Sequence, residues 1–597
     1  MSLISNLKRE ITYITAVSRI NKWIKDLSPE STDLIPDDFE AVCDKYNSNP
    51  AIIFEGRTWN YGQLDSRANR YAHWALSIGL KAGDVVALFM QNRPDYIAAW
   101  YGLSKVGLVV ALINHNLQGA ALLHCVSVAK SRAAIVGAEI IDLWSTIDGQ
   151  LGDVAVWVGG ATLPNYGDLD RSLNAQPPTR PSRAHRENLI GKDPCLYVYT
   201  SGTTGNPKAA TLSHMRVQGM SRSFIGATLT GSSDRVYCPL PLYHGTGGIC
   251  GVGIALNTGA ALVLRRKFSA TQFWDDIVDN QCTVFTYIGE LFRYLVAAPV
   301  HPKERLHKIK SCFGNGLRAD VWARAEERFG KFLIAEFYGS TEGNVSFINI
   351  DGKLGAVGRI PKYAKKRFNV EIVRFDIESE QPIRGSDGLC EICAPDEVGE
   401  AIGKIDLGSA RGRYEGYAND TVATEKKLLR DVFEVGDLWF RTGDLLKQDS
   451  DGYFYFVDRI GDTYRWKSEN VSTNEVGEAI GAFDGIDQVN VYGVDVPHAD
   501  GRAGMAVIVA HVPIDIDALS AHIRAELPAY AVPLILRFKT EVEVTGTFKY
   551  RKVELVAEGF DPSSISDTMF LMNQTSGKYE PLTPAIYSQI HEGNIRY

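Results

Sequence analysis

Short β-prone runs alternate with helical patterns from Ala51 onward, and that alternation leaves few architectures open. The runs are Ile52–Phe54, Val85–Phe89, Val109–Ile113, Ala133–Val136 and Val154–Val158, with helical patterns at Tyr61–Leu76 and Pro94–Lys105 between some of them. Parallel strands need crossover connections, usually helices, so this rhythm predicts an α/β fold with mostly parallel sheets. At 597 residues the chain can bury a large core and divide into more than one domain. A Ser-, Pro- and Asp-rich stretch over residues 28–40 reads as a linker, and residues 176–187 as a polar loop. A later boundary is read at Val457-Asp458-Arg459, after a strand over Gly452–Val457. Beyond it come helical patterns at Asn474–Ala482 and Ile516–Leu527, and strand patterns at Gln488–Val494 and Met505–His511. The expectation is a helix within 1–27, a large domain over 40–457 and a small α+β domain over 459–597.

Composition narrows the function. A formal net charge of −8 argues against a general attraction to nucleic acid. Nine cysteines in a chain this long are no disulfide framework, and Cys390 and Cys393 lack the second ligand pair that a structural zinc needs. They read as plain thiols, as suits a reducing compartment. No stretch reaches the roughly 18–20 apolar residues of a spanning helix. The nearest, Gly247–Leu264, is interrupted by glycines, Asn257 and Thr258, and reads as a buried helix–turn–strand. The first 27 residues carry no secretory signal. Their Leu3, Leu7, Ile11, Ile14, Val17, Ile20, Ile24 and Leu27 form one helical stripe, flanked by Lys8, Arg9, Arg19, Lys22, Lys25 and Trp23. Two readings stand: a helix lying on an acidic membrane surface, or a helix docked on the protein's own core.

After the apolar run Leu196–Tyr199 comes Thr200-Ser201-Gly202-Thr203-Thr204-Gly205-Asn206-Pro207-Lys208. Two glycines let amide N–H groups converge, four hydroxyls add donors without bulk, and Lys208 brings a positive charge. That is what a polyphosphate requires, although such a loop by itself is also an ordinary turn. It is not GxxxxGK[ST].

The segment Tyr-Thr-Ser-Gly-Thr-Thr-Gly-x-Pro-Lys resembles the phosphate loop of the adenylate-forming superfamily. Pro241-Leu242-Tyr243-His244, Tyr338-Gly339-Ser340-Thr341-Glu342, Arg441-Thr442-Gly443-Asp444, Asp458-Arg459 and Gly546-Thr547-Phe548-Lys549 follow in that family's order. The resemblance spans roughly residues 40–560. Tyr287-Ile288-Gly289-Glu290-Leu291, Gly314-Asn315-Gly316-Leu317-Arg318, Gly461–Lys467 and Lys549–Val553 are similar to the very-long-chain acyl-CoA synthetase and fatty acid transport protein branch. The resemblance implies an ATP-dependent acid–thiol ligase with ATP, Mg²⁺ and coenzyme A. A carboxylate would attack the α-phosphate, so catalysis would rest on positioning and on positive charge around the phosphates.

Residue by residue, the resemblance assigns Thr200, Ser201, Gly202, Thr203, Thr204, Gly205 and Lys208 to the phosphates. Gly314, Asn315, Gly316 and Tyr338 go to the adenine side, Gly339, Ser340 and Thr341 to the nucleotide, and Asp444 and Arg459 to the ribose or phosphates. Glu342 would hold Mg²⁺, Lys549 would bridge the incoming carboxylate and the phosphates, and His244 would stand between acid and nucleotide. Asp458 would be the hinge of a mobile C-terminal domain, whose Gly461–Asn470 face admits the CoA thiol in the second step. Ser468 departs from the family's usual glycine, which bears on the CoA path. Ile249, Val284, Phe285 and Phe292 are the expected acyl-pocket walls. The substrate reading is a long- or very-long-chain fatty acid, with a sterol or bile-acid side chain, or a role mainly in uptake, as alternatives. The expected location is the cytoplasmic side of a membrane, through residues 1–27, or the cytoplasm, with small-molecule partners and no nucleic acid.

Overall fold

The computed structural model describes residues 3–200, 207–467, 469–499, 501–541, 552–574 and 576–597. Ser201, Gly202, Thr203, Thr204, Gly205, Ser468 and Lys549 lie outside the described residues.

Three sheets and their helices make up the chain as far as Arg459. In the first, strands Gly167–Asp168, Ala155–Gly159, Ala133–Gly137, Val85–Phe89, Val109–Leu112 and Pro194–Thr200 run parallel in that order, and Lys208–Ser213 closes the edge antiparallel. Every residue of Val85–Phe89 is buried. A strand covered on both faces has no polar side to show, which is why it reads as an unbroken apolar run. The second sheet has eight strands, parallel in its centre and antiparallel at its edges Ser346–Asn349 and Arg57–Asn60. The third is antiparallel around Gly399–Lys404, Leu438–Gln448 and Tyr453–Arg459. The expectation of an α/β fold with mixed, mostly parallel sheets holds, this third sheet being the antiparallel part.

Beyond Arg459 a five-stranded sheet from Ile486–Asp495 to Lys578–Pro581 packs on the helices Thr473–Gly481 and Ile516–Glu526. Its core begins at Tyr464, whereas the last residue of the preceding core is Phe454. Local signals set the boundaries of several elements. The helix Tyr61–Ser77 begins where the Asn60 side chain accepts from the Gln63 N–H at 2.7 Å and the Gln63 side chain accepts from the Asn60 N–H at 2.9 Å. Gly247–Leu264 is the turn of π-helix, short helix and strand that its glycines suggested. No described helix is long and apolar enough to cross a membrane.

The helix Leu3–Ile24 separates the two readings of its stripe by position. Tyr13 and Ala16 are buried against the large domain, and the helix packs on His214–Thr228. There a Cβ on Gly226 would lie 2.7 Å from the Ile20 backbone, so only glycine permits this approach. Polar ties fix the other end: Glu10 accepts from Arg359 and from the Tyr363 hydroxyl, and Arg9 pairs with Asp451 at 3.3 Å. Leu7, Ile11 and Ile14 face outward, 63, 56 and 56 % exposed. These three stripe residues are therefore uncovered, the docked face is made by Tyr13 and Ala16 beside the stripe, and the stripe's Val17, Ile20 and Ile24 are partly covered.

Candidate active site

A cleft of about 3780 Å³ is lined by residues of both domains. Sites for single small ligands run to about 300–1,000 Å³, so this one has room for several partners at once.

On one wall the strands Pro194–Thr200 and Lys208–Ser213 form a hairpin in which Thr200 pairs directly with Lys208. Both flanking residues line the cleft. Lys208 Nζ lies 5.5 Å from the centre of the Tyr417 ring, and the Tyr417 hydroxyl donates to Glu342 Oε1 at 2.9 Å. Burial, reinforced by the Glu342 charge, pushes the Tyr417 phenol well above its usual pKa, so it stays a donor. The loop from Ser340 to Gly343 is gripped from behind by Arg216, which donates to the Thr341 carbonyl at 2.6 and 2.9 Å, to the Ser340 carbonyl at 3.2 Å, and to that of Gly343. Next to Arg216, Ser213 donates through its N–H and its hydroxyl to the two oxygens of Glu415, at 2.7 and 2.5 Å.

On the facing wall the Tyr338 hydroxyl donates to Asp444 Oδ2 at 2.5 Å, and its ring lies 5.8 Å from Phe347 and 6.3 Å from Phe456. Asp444 pairs with Arg459 across two strands, with Arg459 Nε 3.9 Å from Oδ1. Gly443 just before it has φ +79°. That turn is held by buried Glu400, which accepts from the Gly443 N–H at 3.2 Å and from Arg441 at 2.8 Å.

The loop Asn315–Leu317 forms the floor between them. Gly314 sits behind this floor, where a Cβ would come 2.1 Å from the Tyr287 carbonyl; a Cβ on Gly289 would come 1.7 Å from the Gly316 carbonyl. Both glycines are needed for backbone-to-backbone packing. Glu336, buried beneath, accepts from the Tyr287 hydroxyl and from the Leu317 N–H at 3.1 Å. Burial pushes its carboxyl up to about 8. Asn315 Oδ1 is buried with no hydrogen-bond partner among the described residues, and Asn315 lines the cleft.

His244 lines the cleft at the head of the π-helix Gly245–Gly251, with its ring 4.5 Å from that of Tyr243. A Cβ on Gly245 would lie 3.3 Å from Met220 and 3.9 Å from Thr341 Oγ1, which brings these three residues together. Asp458 is almost wholly buried. It accepts from the Thr473 N–H at 2.6 Å, the Thr473 hydroxyl at 3.2 Å and Asn474 at 3.2 Å, so it clasps the strand leaving the large domain to the first helix of the small one. Further contacts between the domains include Arg465 with Glu378 at 2.7 Å, Arg318 with the Glu478 carbonyl at 3.1 Å, and Arg293 with the Asp487 carbonyl.

The structure thus brings Thr200, Lys208, His244, Asn315, Gly316, Tyr338, Gly339, Ser340, Thr341, Glu342, Asp444, Asp458 and Arg459 to one cleft. It does not bring Ile249, Val284, Phe285 or Phe292 there. These four are fully packed core residues, the Phe285 ring lying between Phe273 at 5.5 Å and Phe292 at 5.6 Å. A central parallel strand has both faces covered, so apolar character there marks the core and not a cavity wall. Gly247 and Gly248 do not open space either. A Cβ on them would strike the carbonyls of Pro241 and Leu242 at 2.6 and 1.8 Å. The motifs did not single out Arg216, Tyr417, Glu415, Glu400 or Glu336. Only for Glu336 was a signal at hand, two residues ahead of Tyr338. Cys390 and Cys393 are free thiols, and no described group of three or more His, Cys, Asp or Glu is arranged around a metal.

A two-domain α/β chain whose cleft presents Thr200, Lys208 and the held carboxylate of Glu342 has the make-up of a nucleotide-binding enzyme. The AMP-binding enzyme model matches residues 39–398 and the model of its C-terminal domain matches 475–549. The chain belongs to the AMP-binding enzyme family, in the branch of the long-chain fatty acid transport proteins. Long-chain fatty acid transport protein 6 of Mus musculus is 41 % identical over 554 residues, covering 91 % of this chain and 88 % of the relative. Protein 2 of Rattus norvegicus is 41 % identical over 561 residues, covering 92 % and 89 %. Among solved structures, the anthranilate CoA ligase AuaEII with anthranoyl-AMP aligns with a TM-score of 0.76 at 20 % identity, covering 89 % of this chain and 98 % of that one. The fatty acyl CoA synthetase of Mycobacterium tuberculosis aligns at 0.62 and 22 % identity, covering 88 % and 98 %. At such identities these two speak for the fold.

Proposed function

We propose that this protein joins a long- or very-long-chain fatty acid to coenzyme A at the expense of ATP. The observation that carries the reading is the grouping of Lys208, Thr200, Thr341 and the Tyr417-held Glu342 on one wall of a cleft whose other wall presents Asp444 and Arg459, in a chain of this family. A fatty carboxylate is already ionised at neutral pH, so no general base is needed. One carboxylate oxygen attacks the α-phosphorus, the bond to the β-phosphate oxygen breaks, and pyrophosphate leaves. The CoA sulfur, once it has lost its proton, then attacks the acyl carbon; the C–O bond to the phosphate breaks, and AMP leaves.

Lys208 and the Thr200 hydroxyl beside it lower the repulsion between the two anions. Asp444 offers acceptors to paired ribose hydroxyls, and the unpartnered Asn315 Oδ1 suits an exocyclic amine. Glu342 fits Mg²⁺, a hard cation commonly held by one or two carboxylates with substrate phosphates, which would neutralise phosphate charge. Lys549 would come from the small domain to the reacting carboxylate, and Asp458 would be the hinge that carries it away before the second step. The exposed Leu7, Ile11 and Ile14, beside Lys8, Lys22 and the partly exposed Trp23, suit peripheral contact with an anionic membrane face. This supports a place on the cytoplasmic side of a membrane.

The test incubates purified protein with ATP, Mg²⁺, CoA and a panel of fatty and sterol acids, and follows AMP and acyl-CoA together. Fatty acids should give both in equal amount. Lys549→Ala should abolish pyrophosphate release while ATP still binds. A sterol acid preferred over every fatty acid, or uptake into cells that survives Lys549→Ala, would turn the reading to one of its alternatives.

A further inference from the structure

We propose that the N-terminal helix Leu3–Ile24 is a wall of the acyl-binding arm of the cleft, holding the distal part of a long acyl chain against the helix His214–Thr228. The inference rests on the reading of the protein as a fatty-acid ligase. The N-terminal helix lies ahead of residues 39–398, so it is an addition to the part that the family model matches.

The geometry runs outward from the reacting end. Arg216 grips the Thr341 loop, and Met220, one turn on, stands beside Gly245 and Thr341. Phe224, a further turn on, meets Phe337 with ring centres 4.8 Å apart. At Gly226 the N-terminal helix crosses in close contact, its Arg19 Nε donating to the Gly226 carbonyl at 3.3 Å. From Arg216 to Gly226 the helix rises roughly 15 Å, which takes the greater part of a long acyl chain. Met220 and Phe224 line the cleft along this path, and from the N-terminal helix so do Val17, Ile20 and Ile24.

Those three side chains show that the helix does more than dock. Tyr13 and Ala16 are 4 and 2 % exposed, whereas Val17, Ile20 and Ile24 stay partly exposed although they lie on the inward side. Their remaining surface faces the cleft. A methylene chain laid there would cover apolar surface that the protein leaves uncovered on both helices. A short acid would end near Met220 and never reach it. The helix therefore acts on chain length without touching the reacting atoms.

The experiment uses the full chain and the fluorescent fatty acid cis-parinarate, displaced by stearate, with octanoate as the short competitor. Ile20→Trp and Val17→Trp fill the arm and should weaken parinarate binding about tenfold with octanoate competition unchanged. Ile20→Ala, the milder change should the tryptophan variants fail to fold, should weaken it about threefold. Parinarate affinity within about twofold of wild type in the folded variants would overturn the proposal. AMP release by the wild type is measured separately. Its failure alongside intact parinarate binding would remove the ligase reading and leave the wall standing.

Discussion

Replacing Glu336 by Gln should change how stability depends on pH. The carboxyl is buried, and burial raises it from 4.5 to about 8 against the opposing effect of hydrogen bonds from Tyr287, Leu317 and Gly316. Between those values the folded protein keeps a proton that the unfolded chain has released. A group raised in this way contributes stability in full below the unfolded value, and the contribution is lost as pH rises through the folded one. Each unit is worth about 1.4 kcal/mol, so the window carries about 5 kcal/mol at most. Glutamine is neutral throughout and nearly the same shape. Its oxygen can keep the Leu317 N–H, and its NH₂ can donate to the Tyr287 oxygen. Unfolding midpoints of wild type and Glu336→Gln, measured from about pH 5 to about pH 8, should diverge, the variant gaining on wild type as pH rises. A difference that stays constant across the range would refute the reasoning, because it would mean that the buried acid does not titrate there. Since Glu336 braces the Asn315–Leu317 floor, the KM for ATP should rise in wild type over the same range and stay flatter in the variant.

Two other substitutions test the supports around the cleft, and a third tests the core. Tyr417→Phe removes the donor to Glu342 Oε1, a charge-assisted bond of about 1.5–3 kcal/mol; a Mg²⁺ titration of adenylate formation should show a higher Mg²⁺ requirement. Gly289→Ala drives a Cβ into the Gly316 carbonyl; it should cost about 1–3 kcal/mol in a thermal melt and raise the KM for ATP. Far from the cleft, Lys105 is wholly buried and donates to Asp65 at 2.5 Å and Asn69 at 2.7 Å, with Glu40 at 3.3 Å. Lys105→Ala leaves Asp65 to Arg180 and Glu40 to Arg186 and takes away the donor to the Asn69 side-chain oxygen, and the melt should show a loss of about 1–3 kcal/mol.

Much of this molecule was legible along the chain because its signals are local. Strand Val85–Phe89 sits where its unbroken apolar run puts it and the helix starting at Tyr61 where its helical pattern puts it, since neighbours a few residues apart decide both. That Thr200, Lys208, Thr341, Glu342 and Asp444 share one cleft was legible because they lie in compact motifs that resemble the family's in its order. Supports such as Arg216 were not legible, because its bond to the Thr341 carbonyl joins residues 125 apart. The acyl wall was misread at Phe285 and Phe292 because apolar character tells that a side chain avoids water, not whether protein or substrate covers it. The N-terminal stripe makes the same point. Its 3.6-residue period marks which face of the helix is apolar, but only the close crossing at Gly226 decides that Ile20 turns to the cleft while Leu7, Ile11 and Ile14 are left facing outward.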